Sequence, residues 1–280
     1  MNSKKYIPFF TFFLLIVIGI ISYYKIFIDI NYTYLNFPQR YITKNIADKW
    51  ETKINSLEDR KRNIIKFEEL ENELNFFEKL FINKIFSIPA GNLGFKGKYY
   101  GLKMPTNIIE IPSKIFDVTP GQQKIYQTGI QYYTKHALDD FNKMLIQIKK
   151  DINKEIWIES GYRSPGNQAY QFFKYLADTE IGNNFSLYEN AKWVAMPGYS
   201  EHGSDTNTAF DFILNGGDKN YEKDDGTKMG SEEFALILEK TEEFKWLVKN
   251  ASKYNFYLSY PRDNKDGINY EPWHWHWEKK

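Results

Sequence analysis

The chain has 280 residues, no cysteine, and 37 basic against 36 acidic side chains, for a formal charge of +1. That balance excludes the electrostatic footprint of a nucleic-acid binder, and the missing cysteines exclude disulfides, thiolate zinc sites and a cysteine nucleophile. With 22 Phe, 21 Tyr and 7 Trp, a chain of this length can fill a sizeable core.

Between Lys5 and Lys25 runs YIPFFTFFLLIVIGIISYY, uncharged and close to the ~20 residues needed to cross a bilayer. The bulky stretch that follows lacks the small residues of a signal-peptidase site, so an uncleaved anchor is expected. Lys4 and Lys5 precede the span and only Lys25 follows closely. Residues 1–25 therefore read as a cytoplasmic tip and transmembrane anchor, with the remainder outside the cytoplasm.

From about Asn45 to Phe86, Trp50, Ile54, Leu57, Ile64, Leu70, Leu74, Phe77 and Phe81 recur at helical intervals. Residues 26–95 are thus a helical extension, either a stalk or dimerising coil, or helices packed on their own domain. The segment PAGNLGFKGKYYGLKMP (89–105) concentrates glycine and proline and marks the boundary ahead of a main domain at 96–280.

Within that domain, Ile130, Tyr133, Ala137, Phe141, Met144 and Ile148 predict a helix from about Gln122 to Ile148, with His136 off the stripe and solvated. EIWIES (155–160) and AFDFIL (209–214) have the character of short strands. Ser231 can cap a helix carrying Phe234, Leu238, Leu247 and Ala251. FYLSY (256–260) and the closing YEPWHWHW read as a hairpin. Helices followed by clustered strands predict an α+β fold, a small antiparallel sheet with helices packed around it, preceded by the transmembrane helix and the helical region.

Three places gather polar groups that a packed core would not choose. In SGYRSPGNQ (160–168), Arg163 leaves the end of a strand on a glycine turn. In PGYSEHGSDTNTAFDF (197–212), His202 sits in a loop and Asp211 points to the opposite strand face from Phe210 and Phe212. In EPWHWHW (271–277), a strand's period of two places His274 and His276 on one face and the tryptophans on the other. Two histidines and a carboxylate form a three-ligand set of the kind catalytic zinc uses, and Glu271 stands beside it as a candidate general base. The same carboxylates also admit a metal-independent glycoside hydrolase.

The motifs SGYRS with Gln168, PGYSEH leading to TAFDF, YLSYP and YEPWHW, in that order over about residues 120–280, resemble the VanY-type D-alanyl-D-alanine carboxypeptidases, zinc peptidases related to lysostaphin and the hedgehog N-terminal domain. The resemblance implies that His202, Asp211 and His274 bind Zn²⁺, that Glu271 is the general base, and that Arg163 steadies the oxyanion. Ser200 and Gln168 match positions near the substrate, while Tyr162 and Tyr199 read as packing residues. Relatives commonly place the aspartate seven residues after the first histidine; here Asp211 follows His202 by nine, which brings Asp205 into play as an alternative ligand. His276 mimics the second histidine of lysostaphin-type pairs, but the preceding YEPW assigns His274 to the metal and leaves His276 beside the cleft. The function implied is an anchored, extracytoplasmic enzyme that removes the terminal D-alanine from peptidoglycan stem peptides. L,D-carboxypeptidase or endopeptidase activity and a non-catalytic wall-binding module are the alternatives.

Overall fold

The computed structural model describes residues 7–27, 29–111, 131–178, 184–206, 208–214 and 231–279. Its helices are α1 (Ile7–Phe27), α2 (Phe37–Asn55), α3 (Phe67–Glu71), α4 (Phe76–Phe86), α5 (Lys135–Ile152), α6 (Pro165–Ala177), α7 (Leu187–Ala191), α8 (Ser231–Lys240) and α9 (Glu242–Asn250). A two-stranded antiparallel pair joins β1 (Ile108–Ile111) to β2 (Gln131–Thr134). The main sheet is antiparallel with order β3-β4-β6-β5, built from β3 (Trp157–Ser160), β4 (Ala209–Ile213), β5 (Phe256–Leu258) and β6 (His274–Trp277). This is an α+β fold.

The sheet separates two environments. One face carries Phe210, Phe212, Phe256, Trp275 and Trp277 into a core shared with Phe141, Met144 and Ile148 of α5, Phe234 and Leu238 of α8, and Trp246 and Leu247 of α9. Cross-strand register aligns these residues, with Phe210 opposite Trp275 and Phe256 opposite Trp277. The same pleat puts Asp211 opposite His274 and Ala209 opposite His276 on the other face.

A second core lies around α6. Phe172, Phe173 and Leu176 pack with Ile46, Trp50 and Ile54 of α2, Leu70 of α3, and Phe81, Ile82 and Ile85 of α4. The Trp50 ring stands edge-on to Phe173 at 5.2 Å, and its Nε1–H donates to the Leu70 carbonyl at 2.8 Å. Each such buried side chain contributes about 1.5–3 kcal/mol of hydrophobic stabilisation, so the helical extension adheres to the face of α6. Capping boxes start two of its helices, at Asn36 with Gln39 and at Asn75 with Glu78.

Two expected elements need correction. The helix expected from Gln122 starts only at Lys135, because Gln131–Thr134 pairs with Ile108–Ile111 as a strand; residues 122–130 lie outside the described residues. Tyr133 is buried from that strand, whereas Ala137, Phe141, Met144 and Ile148 form the buried stripe of α5. The helix expected from Ser231 is two helices. Thr241 breaks it, donating its hydroxyl to the Leu238 carbonyl while accepting from Phe244 N–H as the cap of α9. The side chain of Ser231 lies outside the described residues.

The apolar N-terminal segment forms α1, which exposes Phe12, Phe13, Leu14, Leu15, Ile18, Ile20 and Ile21. Among the described residues, no helix is long and apolar enough to cross a membrane.

Candidate metal centre

The site is assembled from three chain segments meeting on the polar face of the sheet. The first leaves β3 at Gly161. A Cβ there would stand 2.5 Å from the Tyr132 carbonyl oxygen, so only glycine lets the strand pass β2 this closely. The turn then brings Arg163 inward, and the Ser164 hydroxyl caps α6 by accepting from Asn167 N–H. The second segment is a single 3₁₀ turn, Glu201–Gly203, fastened to the first by Arg163 N–H donating to the His202 carbonyl at 3.0 Å. The third is β6, paired with β4.

His202, Asp211 and His274 converge so that one ligand atom from each lies within 4.8 Å of the others. His202 Nε2 is 3.2 Å from Asp211 Oδ2, and His274 Nδ1 is 3.0 Å from Asp211 Oδ1. The tautomer of His202 follows from its other nitrogen. Nδ1 lies 2.7 Å from the Gly161 carbonyl, which can only accept, so Nδ1 bears the proton and Nε2 presents its lone pair to the cluster.

The donor set fits a divalent cation. Asp211 Oδ1 is buried and receives no well-directed hydrogen bond although His274 Nδ1 is near, which leaves an acceptor aimed at the space between two imidazoles. Glu201 is also buried here, so two carboxylates held ionised, Asp211 and Glu201, face the single guanidinium of Arg163. Buried negative charge of this density calls for a positive partner. Two nitrogens and one oxygen match zinc's ligand preference, and their spread is close to twice a metal–ligand bond of about 2 Å. Zn²⁺ held there would rest on His202, Asp211 and His274.

The electrostatics of the metal-free chain show the same demand. Burial pushes His274 down, but its contacts with Asp211 and then Glu201 outweigh that and raise it to about 10, so an imidazolium supplies the positive charge. Burial pushes the Asp211 carboxyl up, yet His202 and His274 hold it well below the usual range. His202, fully enclosed, is pushed down mainly by desolvation, with Asp211 opposing. Burial lifts Glu271 to about 8, reinforced by Asp211 and resisted by His274.

Glu271 Oε2 lies 3.5 Å from His274 Nδ1, at the edge of the cluster. Arg163 donates from one terminal nitrogen to Gln168 Oε1 at 3.0 Å and from the other to Ser160 Oγ at 3.1 Å, with Asp211 Oδ2 at 3.6 Å. Gln168 is itself buried and donates to the Ala195 carbonyl at 2.6 Å, so its amide spans Arg163 and the backbone. Ser200 is buried and immediately precedes the turn that carries His202. His276 faces the same side as His274, with Nδ1 2.8 Å from Ser259 Oγ. Asp205 is exposed and stands apart from the His202, Asp211 and His274 cluster, in the segment lengthened by the two extra residues. Tyr162 is buried, and the Tyr199 ring packs on Phe95 and Tyr99.

Sequence reasoning passed over two contributors. Ser160 holds the guanidinium of Arg163. Glu201, next to His202, is brought to about 2: burial pushes it up, but His274 and then His276 and Ser259 outweigh that. Its proximity to a metal-ligand histidine inside PGYSEH was the available signal.

A family model described as VanY, D-alanyl-D-alanine carboxypeptidase, matches residues 130–280, more than half of the chain. The chain belongs to the VanY family. A D-alanyl-D-alanine carboxypeptidase of Enterococcus faecium is 28% identical over 178 residues, which cover 61% of this chain and 47% of that protein, so the match spans about half of the relative's length. The putative carboxypeptidase YodJ of Bacillus subtilis (strain 168) is 29% identical over 239 residues, 83% of this chain and 77% of that one. Among solved structures, the LdcB LD-carboxypeptidase shares 27% identity with a TM-score of 0.41, covering 62% of this chain and 69% of its own. VanYB in complex with D-alanine-D-alanine shares 20% at a TM-score of 0.38, covering 60% and 79%. The VanY match begins one residue before β2, so α2, α3 and α4 lie outside it even though they share the core of α6.

Proposed function

We propose that this chain is a zinc-dependent D,D-carboxypeptidase that removes the terminal D-alanine from peptidoglycan stem peptides at the outer face of a membrane. The observation that carries the reading is the convergence of His202, Asp211 and His274, with Glu271 3.5 Å from His274 and Arg163 3.6 Å from Asp211. The D,D specificity is supported by the family description and by the name of the enterococcal relative.

When bound, Zn²⁺ supplies Lewis-acid polarisation of the scissile carbonyl and acidifies water toward neutrality. The remaining work falls to the chain's own groups. Glu271 takes a proton on its carboxylate during attack and later delivers it to the leaving amine; its raised affinity for protons, set by burial, suits both transfers near neutral pH. Arg163 has five N–H donors, and the bonds to Gln168 and Ser160 lock the fork in place while leaving others for charge developing on oxygen. His202 Nε2 and, once its proton is displaced by a cation, His274 Nδ1 are the nitrogens turned to the cluster, because the opposite nitrogens are engaged by the Gly161 carbonyl and Glu201. His276, Ser200 and Gln168 are assigned to substrate contact from their places in the motifs.

The anchor is part of this proposal. It rests on the sequence, in which an uncharged apolar run of about the length a bilayer requires lies between Lys5 and Lys25. The full-length protein is expected in the membrane fraction with its N-terminus retained, and a soluble chain starting beyond Lys25 would contradict that.

The deciding experiment incubates detergent-solubilised full-length protein with stem peptides ending in D-Ala-D-Ala or in L-Lys-D-Ala, with and without chelator, read by mass. Loss of one alanine from the first peptide only, abolished by chelator and restored by zinc, is expected. Cleavage of only the second makes the enzyme L,D-specific, and cleavage of neither overturns the activity.

A further inference from the structure

Each metal-facing imidazole must be told which nitrogen to present, and the two histidines are instructed differently. For His202 the instruction comes from a neutral acceptor, the Gly161 carbonyl. For His274 it comes from a charged one, since Nε2 lies 3.1 Å from Glu201 Oε2. An ionised carboxylate can only accept, so the Nε2 proton stays with His274, and Nδ1, which faces Asp211 Oδ1 at 3.0 Å and is protonated in the metal-free imidazolium, is the nitrogen left to shed its proton and offer a lone pair to a cation.

Glu201 is held for this task. It opens the turn that also carries His202, and Ser204 N–H closes that turn on the Glu201 carbonyl at 3.0 Å. Its second oxygen, Oε1, accepts from the Tyr100 hydroxyl at 3.3 Å and faces His276 Nδ1 at 3.7 Å. Because it engages the far nitrogen of His274, the imidazole ring separates it from Asp211, and it lies outside the three-residue ligand cluster. A carboxylate behind a ligand imidazole fixes ring orientation and increases the electron density the other nitrogen offers a cation.

We propose that Glu201 is the positioning residue of the metal centre, fixing the metal-facing tautomer and orientation of His274 from behind while its turn delivers His202. The inference rests on the zinc reading above. One residue pair therefore places both histidine ligands: Glu201 orients the ring from β6, and its chain neighbour supplies the ring from the turn.

The test uses the full-length protein, with Glu201→Gln and Glu201→Ala, and reads zinc affinity by chelator competition together with the ring ¹⁵N shifts of His274 in the zinc-loaded state. Thermal unfolding of the metal-free forms monitors folding. Glu201→Ala is expected to weaken zinc binding about 10–100-fold and to change the His274 ring shifts. Glu201→Gln, whose amide oxygen still accepts from Nε2–H, is expected to keep the tautomer and lose zinc affinity by a smaller factor. Should Glu201→Ala not fold, Glu201→Gln decides by the same two readouts. Parental affinity with parental His274 shifts in the folded variants overturns the proposal. A parent that binds zinc yet cleaves no stem peptide removes the proposed activity alone; a parent that binds no zinc removes both.

Discussion

Asp211 and His274 are cross-strand partners on β4 and β6, and their side chains meet at 3.0 Å on the face of the sheet opposite the aromatic core. Placing two candidate ligands on paired strands makes the cluster as rigid as the sheet. His274→Ala is therefore expected to abolish stoichiometric zinc at micromolar concentration, and Asp211→Ala likewise, while His276→Ala and Asp205→Ala retain it. Metal content after dialysis measures this. Zinc lost with Asp205→Ala and kept with Asp211→Ala would move the ligand to the exposed loop.

Glu271 borders the cluster without belonging to the three ligands. Glu271→Gln should keep zinc and lower kcat by about 10²–10⁴-fold. The sign of the pH dependence follows from its role: the carboxyl must be unprotonated to accept, so kcat/KM rises with pH through its pKa. Burial sets that value at about 8 in the metal-free chain, and a bound cation lowers it, so the acid limb of the loaded enzyme lies below 8. Retained turnover in the variant, or an activity that declines steadily as pH rises from 5 to 7, would remove Glu271 as the base.

The polar face was legible in the sequence because a strand has a fixed period of two: once HWHW is a strand, His274 and His276 must share a side, and Phe-Asp-Phe must turn Asp211 away from the core. What could not be read was distance across the chain. Nothing in the spacing shows that the carboxylate of Glu201 lies behind His274, or that Gln168 spends its amide on Arg163 and Ala195. The helix expected from Gln122 failed for a related reason. Tyr133, at helical spacing from Ala137, is buried from a strand whose partner sits more than twenty residues upstream, and pairing overrides local periodicity. Likewise the pattern over residues 45–86 predicted amphipathic helices but left open what they pack on, because the partner is α6, some ninety residues further along.

Gly166 tests that packing. A Cβ at this first-turn position of α6 would fall 2.5 Å from the Ile65 carbonyl oxygen and 2.8 Å from the Lys66 carbonyl carbon, both backbone atoms that cannot rotate away. The approach is locked by Ser164 Oγ–H donating to Ile65 O at 2.7 Å and Asn167 Nδ2–H donating to Asn63 Oδ1 at 3.0 Å. Gly166→Ala is expected to destabilise the protein by about 1–3 kcal/mol, as overpacking does. Because Arg163 lies three residues earlier, kcat should fall as well. Chemical denaturation and turnover measure the two effects, and an unchanged unfolding midpoint would mean that the helical layer is not held to α6 in this way.

On the opposite side of the sheet, Asp140 of α5 ties down the end of the chain. Its Oδ2 accepts from Trp277 Nε1–H at 3.0 Å and from Asn255 Nδ2–H at 2.8 Å, where Asn255 turns the backbone into β5 with φ of 62°. Burial pushes the Asp140 carboxyl up, but these two donors and Lys143 outweigh it and hold it below its ordinary 3.8. A carboxyl depressed in the folded state binds fewer protons there than in the unfolded chain as pH approaches 3.8 from above. Its stabilisation is thus complete above that value and is lost as pH falls through the lower folded pKa. Asp140→Ala is expected to cost about 1–3 kcal/mol at pH 7, much of it from leaving the Trp277 indole N–H without its acceptor. As pH is lowered from 3.8 the gap between parent and variant should narrow progressively, because the parental carboxyl gains its proton only below its ordinary value. Urea unfolding of the metal-free forms at pH 7 and below pH 3.8 measures this, and a gap of equal size at both would show that the charge on Asp140 contributes nothing to the clasp.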